Sequence, residues 1–186
     1  MLKKLILGLL ALLAGLLGAA ALQPSEMHVT RSSTIAAPAA VVFAQVNDLH
    51  RWNAWSPWAE MDPKAQNHFE GPASGKGAKF YWASDNAEVG VGSMTITQSQ
   101  PNQQVTMDVA LEKPFKGTNQ STFTFAPSAD ANHTVVTWAM TGHKHFICKL
   151  IGLFMSGEKM VGENFEEGLA NLKTVAEAEQ ATNQQP

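Results

Sequence analysis

Cysteine is almost missing from this chain. Cys148 is the single one in 186 residues, so there is no internal disulfide to form and no cysteine-rich metal site to build. Neither redox chemistry nor a bound metal is expected. Arginine is equally scarce, with Arg31 and Arg51 alone, and the formal charge is −3. That leaves no basic footprint for a phosphate backbone, and nucleic acid is not an expected partner. Charged residues are 16% of the chain against 45% apolar, and 14 Gly and 9 Pro are spread without a period. Disordered, collagenous and disulfide-scaffold chains are thereby excluded. What remains is a globular protein, long enough for one domain with a sizeable core and too short for two ordinary ones.

Recognisable catalytic motifs are missing as well. There is no G-x-S-x-G elbow, no P-loop and no cysteine beside an activating histidine. Gly71, Gly75 and Gly77 fail the dinucleotide spacing and are followed by a strand-like run instead of a helix. No internal repeat is visible. No cofactor is expected, and no catalytic set can be named.

What the chain does have begins at its amino terminus. After Lys3 and Lys4, residues 5–22 contain only Leu, Ile, Ala and Gly, an unbroken run of 18. As a helix the run is about 27 Å long, enough for a hydrocarbon core and longer than the ~7–15 apolar residues of a cleavable signal. Length favours an anchor. Ala19, Ala20 and Ala21 supply small residues of the kind a signal peptidase needs, so removal as a signal peptide is the alternative. In either case the two lysines stay cytoplasmic and the remainder is exported, placing the protein in the cell membrane with its domain outside, or free in that compartment after cleavage. Setting Lys3 and Lys4 aside leaves eleven basic residues against sixteen acidic, a net −5 for the exported part. A soluble surface that avoids anionic lipid heads is the expectation. Residues 23–26 read as a short polar linker.

From residue 27 the pattern changes to alternation. Residues 27–35 read as a first strand, with Val29, Arg31, Ser33 and Ile35 on one side. Pro38 opens a short helix over residues 39–46, a second short helix or turn covers 48–55, and Pro57 and Asp62-Pro63 argue for loop up to Lys64. Six further strands are expected at 66–70, 79–84, 92–100, 105–112, 119–125 and 134–141. In the last three, Val105, Met107, Val109 and Leu111, then Phe123 and Phe125, then Val136, Trp138 and Met140 share a face, opposite polar residues such as Asp108, Thr124 and Thr137. This is an antiparallel meander with one wet face. Its cover is one long amphipathic helix, residues 144 to about 178, carrying Phe146, Leu150, Leu153, Phe154, Val161, Phe165, Leu169, Leu172 and Ala176. Gly152, Gly157, Gly162 and Gly168 interrupt it at a cost of up to ~1 kcal/mol each, which calls for close packing, a bend, or room for a ligand. Residues 179–186 read as a polar tail.

Three of the five tryptophans, Trp52, Trp55 and Trp58, fall within seven residues. They read as a plug anchoring the short helices to the sheet, with a gate at a cavity mouth as the alternative. Asp48 and Arg51 are spaced to pair. His143 and His145 flank Lys144 and read as a solvated turn, since His-x-His without a third ligand is a weak metal signal. Glu158, Glu163, Glu166 and Glu167 of the long helix read as a solvated charged face, with Glu158, near the glycines, the one candidate to face inward.

The order of elements resembles the helix-grip fold of the SRPBCC superfamily, also called START-like, and the resemblance covers residues 27–178. The pieces that carry it are IAAPAAVVFAQVNDLHRWNAWSPW (35–58), GPASGKGAKFYW (71–82), VGSMTITQSQP (91–101) and LFMSGEKMVGENFEEGLANLK (153–173). They are similar to a bacterial polyketide cyclase/dehydrase-like branch, many members of which begin with one membrane-directed segment. The resemblance implies an α+β fold: a curved antiparallel sheet of about seven strands wrapped around a long carboxyl-terminal helix, with two short helices between the first two strands. It also implies a cavity between sheet and helix that takes apolar or amphipathic ligands, for which we expect a few hundred Å³, about the lower end of the ligand range. Candidate lining residues are Trp52, Trp55, Trp58, Trp82, Met94, Met107, Phe123, Phe125, Trp138, Met140, Phe154 and Met160. Each of these residue types more often fills a dry core. The resulting expectation is a membrane-tethered exported domain that binds a hydrophobic small molecule or lipid. An enzyme of cyclase, dehydratase or hydrolase type and a protein-interaction module are the alternatives, because one scaffold hosts all of these.

Overall fold

The structure is a computed structural model and describes residues 2–128, 132–154 and 156–184. Helix α1 (Leu2–Leu22) is followed by strand β1 (Glu26–Ile35), helix α2 (Ala39–Asn47), a 3₁₀ turn (Leu49–Ala54) and helix α3 (Pro57–Met61). Six strands come next: β2 (Gln66–Glu70), β3 (Lys79–Ala83), β4 (Val91–Gln100), β5 (Gln104–Lys113), β6 (Gly117–Pro127) and β7 (Thr134–His143). Helices α4 (Phe146–Ile151) and α5 (Gly157–Asn183) close the chain.

The seven strands form one antiparallel sheet in the order β1-β7-β6-β5-β4-β3-β2, a meander with β1 returned to pair with β7. Alternation sets which side is covered. Val105, Met107, Phe123, Phe125, Val136 and Trp138 are buried, while Asp108 and Thr124 between them are exposed. Phe165, Leu169, Leu172 and Ala176 of α5 recur at three- and four-residue spacing and are all buried on that face. Leu169→Ala is expected to cost roughly 2–5 kcal/mol as a large-to-small core change. Thr124→Ala, on the wet face, should cost well under ~1 kcal/mol. Equal denaturant midpoints for the two variants would show that the faces are misassigned.

Two of the four helix glycines are explained by close approach. A Cβ at Gly168 would lie 2.9 Å from Trp138 Cζ3 and 3.2 Å from Pro57 Cδ, and one at Gly162 would lie 2.2 Å from Arg31 Nη2. These glycines let α5 settle onto the indole of β7 and the guanidinium of β1. Arg31 Nε in turn donates to Glu166 Oε1 of α5 at 2.5 Å.

Three sequence expectations need correction. The single helix expected from residue 144 is two, since the chain breaks after Ile151 and restarts at Gly157. Gly152 ends α4, and the Ser156 side chain accepts from the Lys159 amide to begin α5, so cap chemistry outweighs a continuous apolar period there. Pro57 starts a helix instead of opening a loop, because its missing N–H falls at the first helical turn. The segment read as a polar tail continues α5 to Asn183, tied by Glu179 to Arg51 and Gln45; residues 185 and 186 lie outside the described residues. Between β6 and β7, Ser128 N donates to His133 O, and residues 129–131 are not described.

Candidate functional site

The two ends of the sheet are built differently. At the end where β1 finishes and β7 begins, Ile35, Val42, Val46, Val105, Val136, Leu172 and Ala176 are fully buried. Toward the opposite end the inward residues lose their cover: Met107 is buried but Val109 and Leu111 are half-buried, and Trp138 is buried but Met140 is half-buried. The cause lies in the helices. α5 runs along β1 and begins only at Gly157, and α4 turns away to pack on α1, so part of the inward face there has no partner.

The resulting cavity is about 1060 Å³, larger than the few hundred expected. Gly152, Ser156 and Gly157, the residues that break the helix, stand at its edge. Its floor is Trp52, Trp138 and Met107, and its sheet wall is Phe80, Trp82, Met94, Val109, Leu111 and Met140. Met160 and Val161 of α5 and Trp58 of α3 face that wall. The edge carries Phe115, Lys116, His143, Lys144, Glu88 and Glu158.

Eight of the twelve residues named from the sequence line this space: Trp52, Trp58, Trp82, Met94, Met107, Trp138, Met140 and Met160. Trp55, Phe123 and Phe125 lie in the close-packed part, at 0%, 0% and 5% exposure. Phe154 is 75% exposed and faces away from the core. Phe80 escaped the sequence reading although it shares the face of Trp82 two residues on. Phe115 sits in the β5–β6 loop, where no periodicity marks it.

Aromatic contacts make the floor rigid. The Trp138 ring stacks on Phe165 at 3.8 Å between centroids and 9° between planes, and on Phe123 at 4.7 Å. Trp52, Trp55 and Trp58 meet Trp138 edge-on at 5.9, 5.8 and 6.1 Å. The tryptophan cluster therefore anchors the short helices to the sheet, and Trp52 and Trp58 also present a face to the cavity. Trp138 Nε1 donates to Ser121 Oγ at 2.8 Å in the buried floor. Ser121→Ala should cost about 1–3 kcal/mol by orphaning that N–H, and an unchanged denaturant midpoint would contradict the arrangement.

Several of the charged side chains that line the cavity have fixed partners. Asp62 accepts from the Ser84 hydroxyl at 2.5 Å and the Lys64 amide at 3.0 Å. The Ser84 bond, then the Lys64 amide, keep its carboxyl below the usual carboxylate range, so it is an anion and an acceptor at neutral pH. Lys144 Nζ donates to Glu158 Oε1 at 3.1 Å. Outside the cavity lining, Arg51 Nε lies 3.7 Å from Asp48 Oδ2 and also binds Glu179. His143 and His145 are exposed at the edge, and no three His, Cys, Asp or Glu side chains among the described residues are grouped to hold a metal ion.

A curved antiparallel sheet gripping a carboxyl-terminal helix around an apolar cavity defines a helix-grip protein of the SRPBCC type. More narrowly, the chain belongs to the polyketide cyclase/dehydrase and lipid transport family, whose model matches residues 26–177. No curated protein matches it in sequence. Among solved structures it is similar to a Chromobacterium violaceum protein, at 14% identity and a TM-score of 0.57 over 83% of this chain and 99% of that one. A Mesorhizobium loti protein matches at 15% and 0.57 over 80% and 95%. The Aha1 dimer from Colwellia psychrerythraea matches at 14% and 0.57 over 81% and 96%. At such identities these likenesses speak for the fold alone.

Proposed function

We propose that the protein is a membrane-tethered, exported domain that holds an apolar or amphipathic small molecule or lipid in the cavity and does not transform it. The carrying observation is the cavity of about 1060 Å³, walled largely by methionine, tryptophan, phenylalanine and valine, with the exposed Glu88, Lys116 and Glu158 among its lining. Flexible thioether side chains adapt to irregular apolar ligands, and the rim charges suit a polar head group left at the opening. The tether is α1, 21 apolar-rich residues with a mean hydropathy of 2.6 in its most apolar window. At 1.5 Å per residue that helix is about 31 Å long, enough to span a bilayer.

Native mass spectrometry of the full chain extracted in mild detergent should find a retained apolar molecule, and a fatty acid should raise the melting temperature of stripped protein. Protein that carries nothing and melts identically with every apolar ligand would overturn the reading. Amino-terminal sequencing should return α1 still attached. A mature chain starting near Leu22 would convert the tether into a removed signal.

A further inference from the structure

The cavity opens at the end of the sheet to which α1 is joined. Only Gln23, Pro24 and Ser25 separate Leu22 from β1, a span of at most ~11 Å when fully extended. Ser25 is itself fixed, its carbonyl accepting from the Lys144 amide at 2.6 Å. α1 packs on α4, and the Gln23 side chain lies beside Gly152, 3.3 Å from where a Cβ there would be. A bilayer spanned by α1 therefore begins within a short distance of the cavity mouth.

That same end is where the domain exposes its large apolar side chains. Outside α1, the exposed ones among the described residues are Phe115 (44%), Phe146 (47%), Ile147 (54%), Ile151 (42%), Phe154 (75%) and Met160 (47%). Phe115 and Met160 also line the cavity. The exported part has a net charge of −5, yet Lys113 and Lys116 flank Phe115, Lys144 precedes α4 and Lys149 lies in its last turn. Apolar side chains with interleaved lysines suit a boundary between acyl chains and phosphate head groups.

From these placements we infer that α4, Phe154 and the Phe115 loop form a rim that docks on the bilayer holding α1. Ligand then passes between membrane and cavity without crossing water. The inference rests on the binding function proposed above and specifies where that ligand is exchanged.

The test uses the full chain in nanodiscs of phosphatidylcholine with phosphatidylglycerol, in a Cys148→Ser background. An environment-sensitive fluorophore is attached to Ile147→Cys, Phe154→Cys or, as a control at the far end of the wet face, Thr124→Cys. Labels at 147 and 154 should shift to the blue and be quenched by spin-labelled lipid, while the label at 124 stays in water. All three labels in water would overturn the docking rim. The double variant Ile147→Glu/Phe154→Glu should exchange a fluorescent fatty acid with vesicles roughly tenfold more slowly, because two large side chains no longer enter the bilayer. Its affinity for the same fatty acid in detergent and its melting temperature should match the parent, since both positions are exposed. Unchanged exchange would overturn the transfer route. Binding by the parent in detergent with every label in water would sink the rim and leave the binding function standing. No binding by the parent in detergent would sink both.

Discussion

Trp138→Ala should destabilise the protein by about 3–5 kcal/mol, the largest loss expected from any single truncation here. Its indole is 2% exposed, stacks on Phe165 and Phe123, and receives the edges of Trp52, Trp55 and Trp58. Gly168 lies close enough that its own missing Cβ makes room for the ring. Truncation therefore removes contacts to β6, α5 and all three aromatic anchors at once, and the Ser121 hydroxyl loses its donor. For a chain of this size each kcal/mol is worth about 2–4 °C, so the melting temperature should fall by roughly 6–20 °C. Trp82→Ala is the comparison, because Trp82 is half-buried on the cavity wall and already lacks neighbours on one side. Comparable losses for the two variants would mean that the floor is not the close-packed hub described.

The second large effect concerns ligand binding. A ligand at a hundredfold excess over its dissociation constant stabilises the native state by about 2.7 kcal/mol, or roughly 5–11 °C. Val109→Trp combined with Met140→Trp should sharply reduce that shift. Two added rings take up only part of a space of about 1060 Å³, but they narrow it from two neighbouring parts of the sheet wall. Both side chains are half-buried and line the cavity from β5 and β7. The added rings have empty space to enter, so the usual overpacking cost of ~1–3 kcal/mol should be largely avoided. The variant should melt near the parent without ligand and show a much smaller rise with it. A ligand shift of full size in the double variant would place binding elsewhere.

Much of the fold was legible because its signals are local. Period-two alternation located the strands to within a residue or two, as at β3, read as 79–84 and observed at Lys79–Ala83. Signals with two meanings misled. Pro57 reads equally well as a breaker or as a first helical residue, and only its seat against Gly168 of α5 shows which. Phe146 and Phe154 fit the three- and four-residue period of the cover helix yet are exposed. An apolar period records that a face leaves water; it does not record what receives it.

By itself the sequence determined that the chain has an apolar helix at its start, a meander with one apolar face, and an amphipathic helix to cover it. Each of these follows from neighbours a few residues apart, where side-chain direction is dictated by backbone period. The size of the cavity was decided by tertiary structure alone. Its volume depends on α5 settling along β1 through Gly162 and Gly168, on α4 turning away toward α1, and on the inward faces of β4 and β5 having no helix above them at one end. Those are distances between elements far apart in the chain, and a methionine carries the same local pattern whether a helix covers it or a void does.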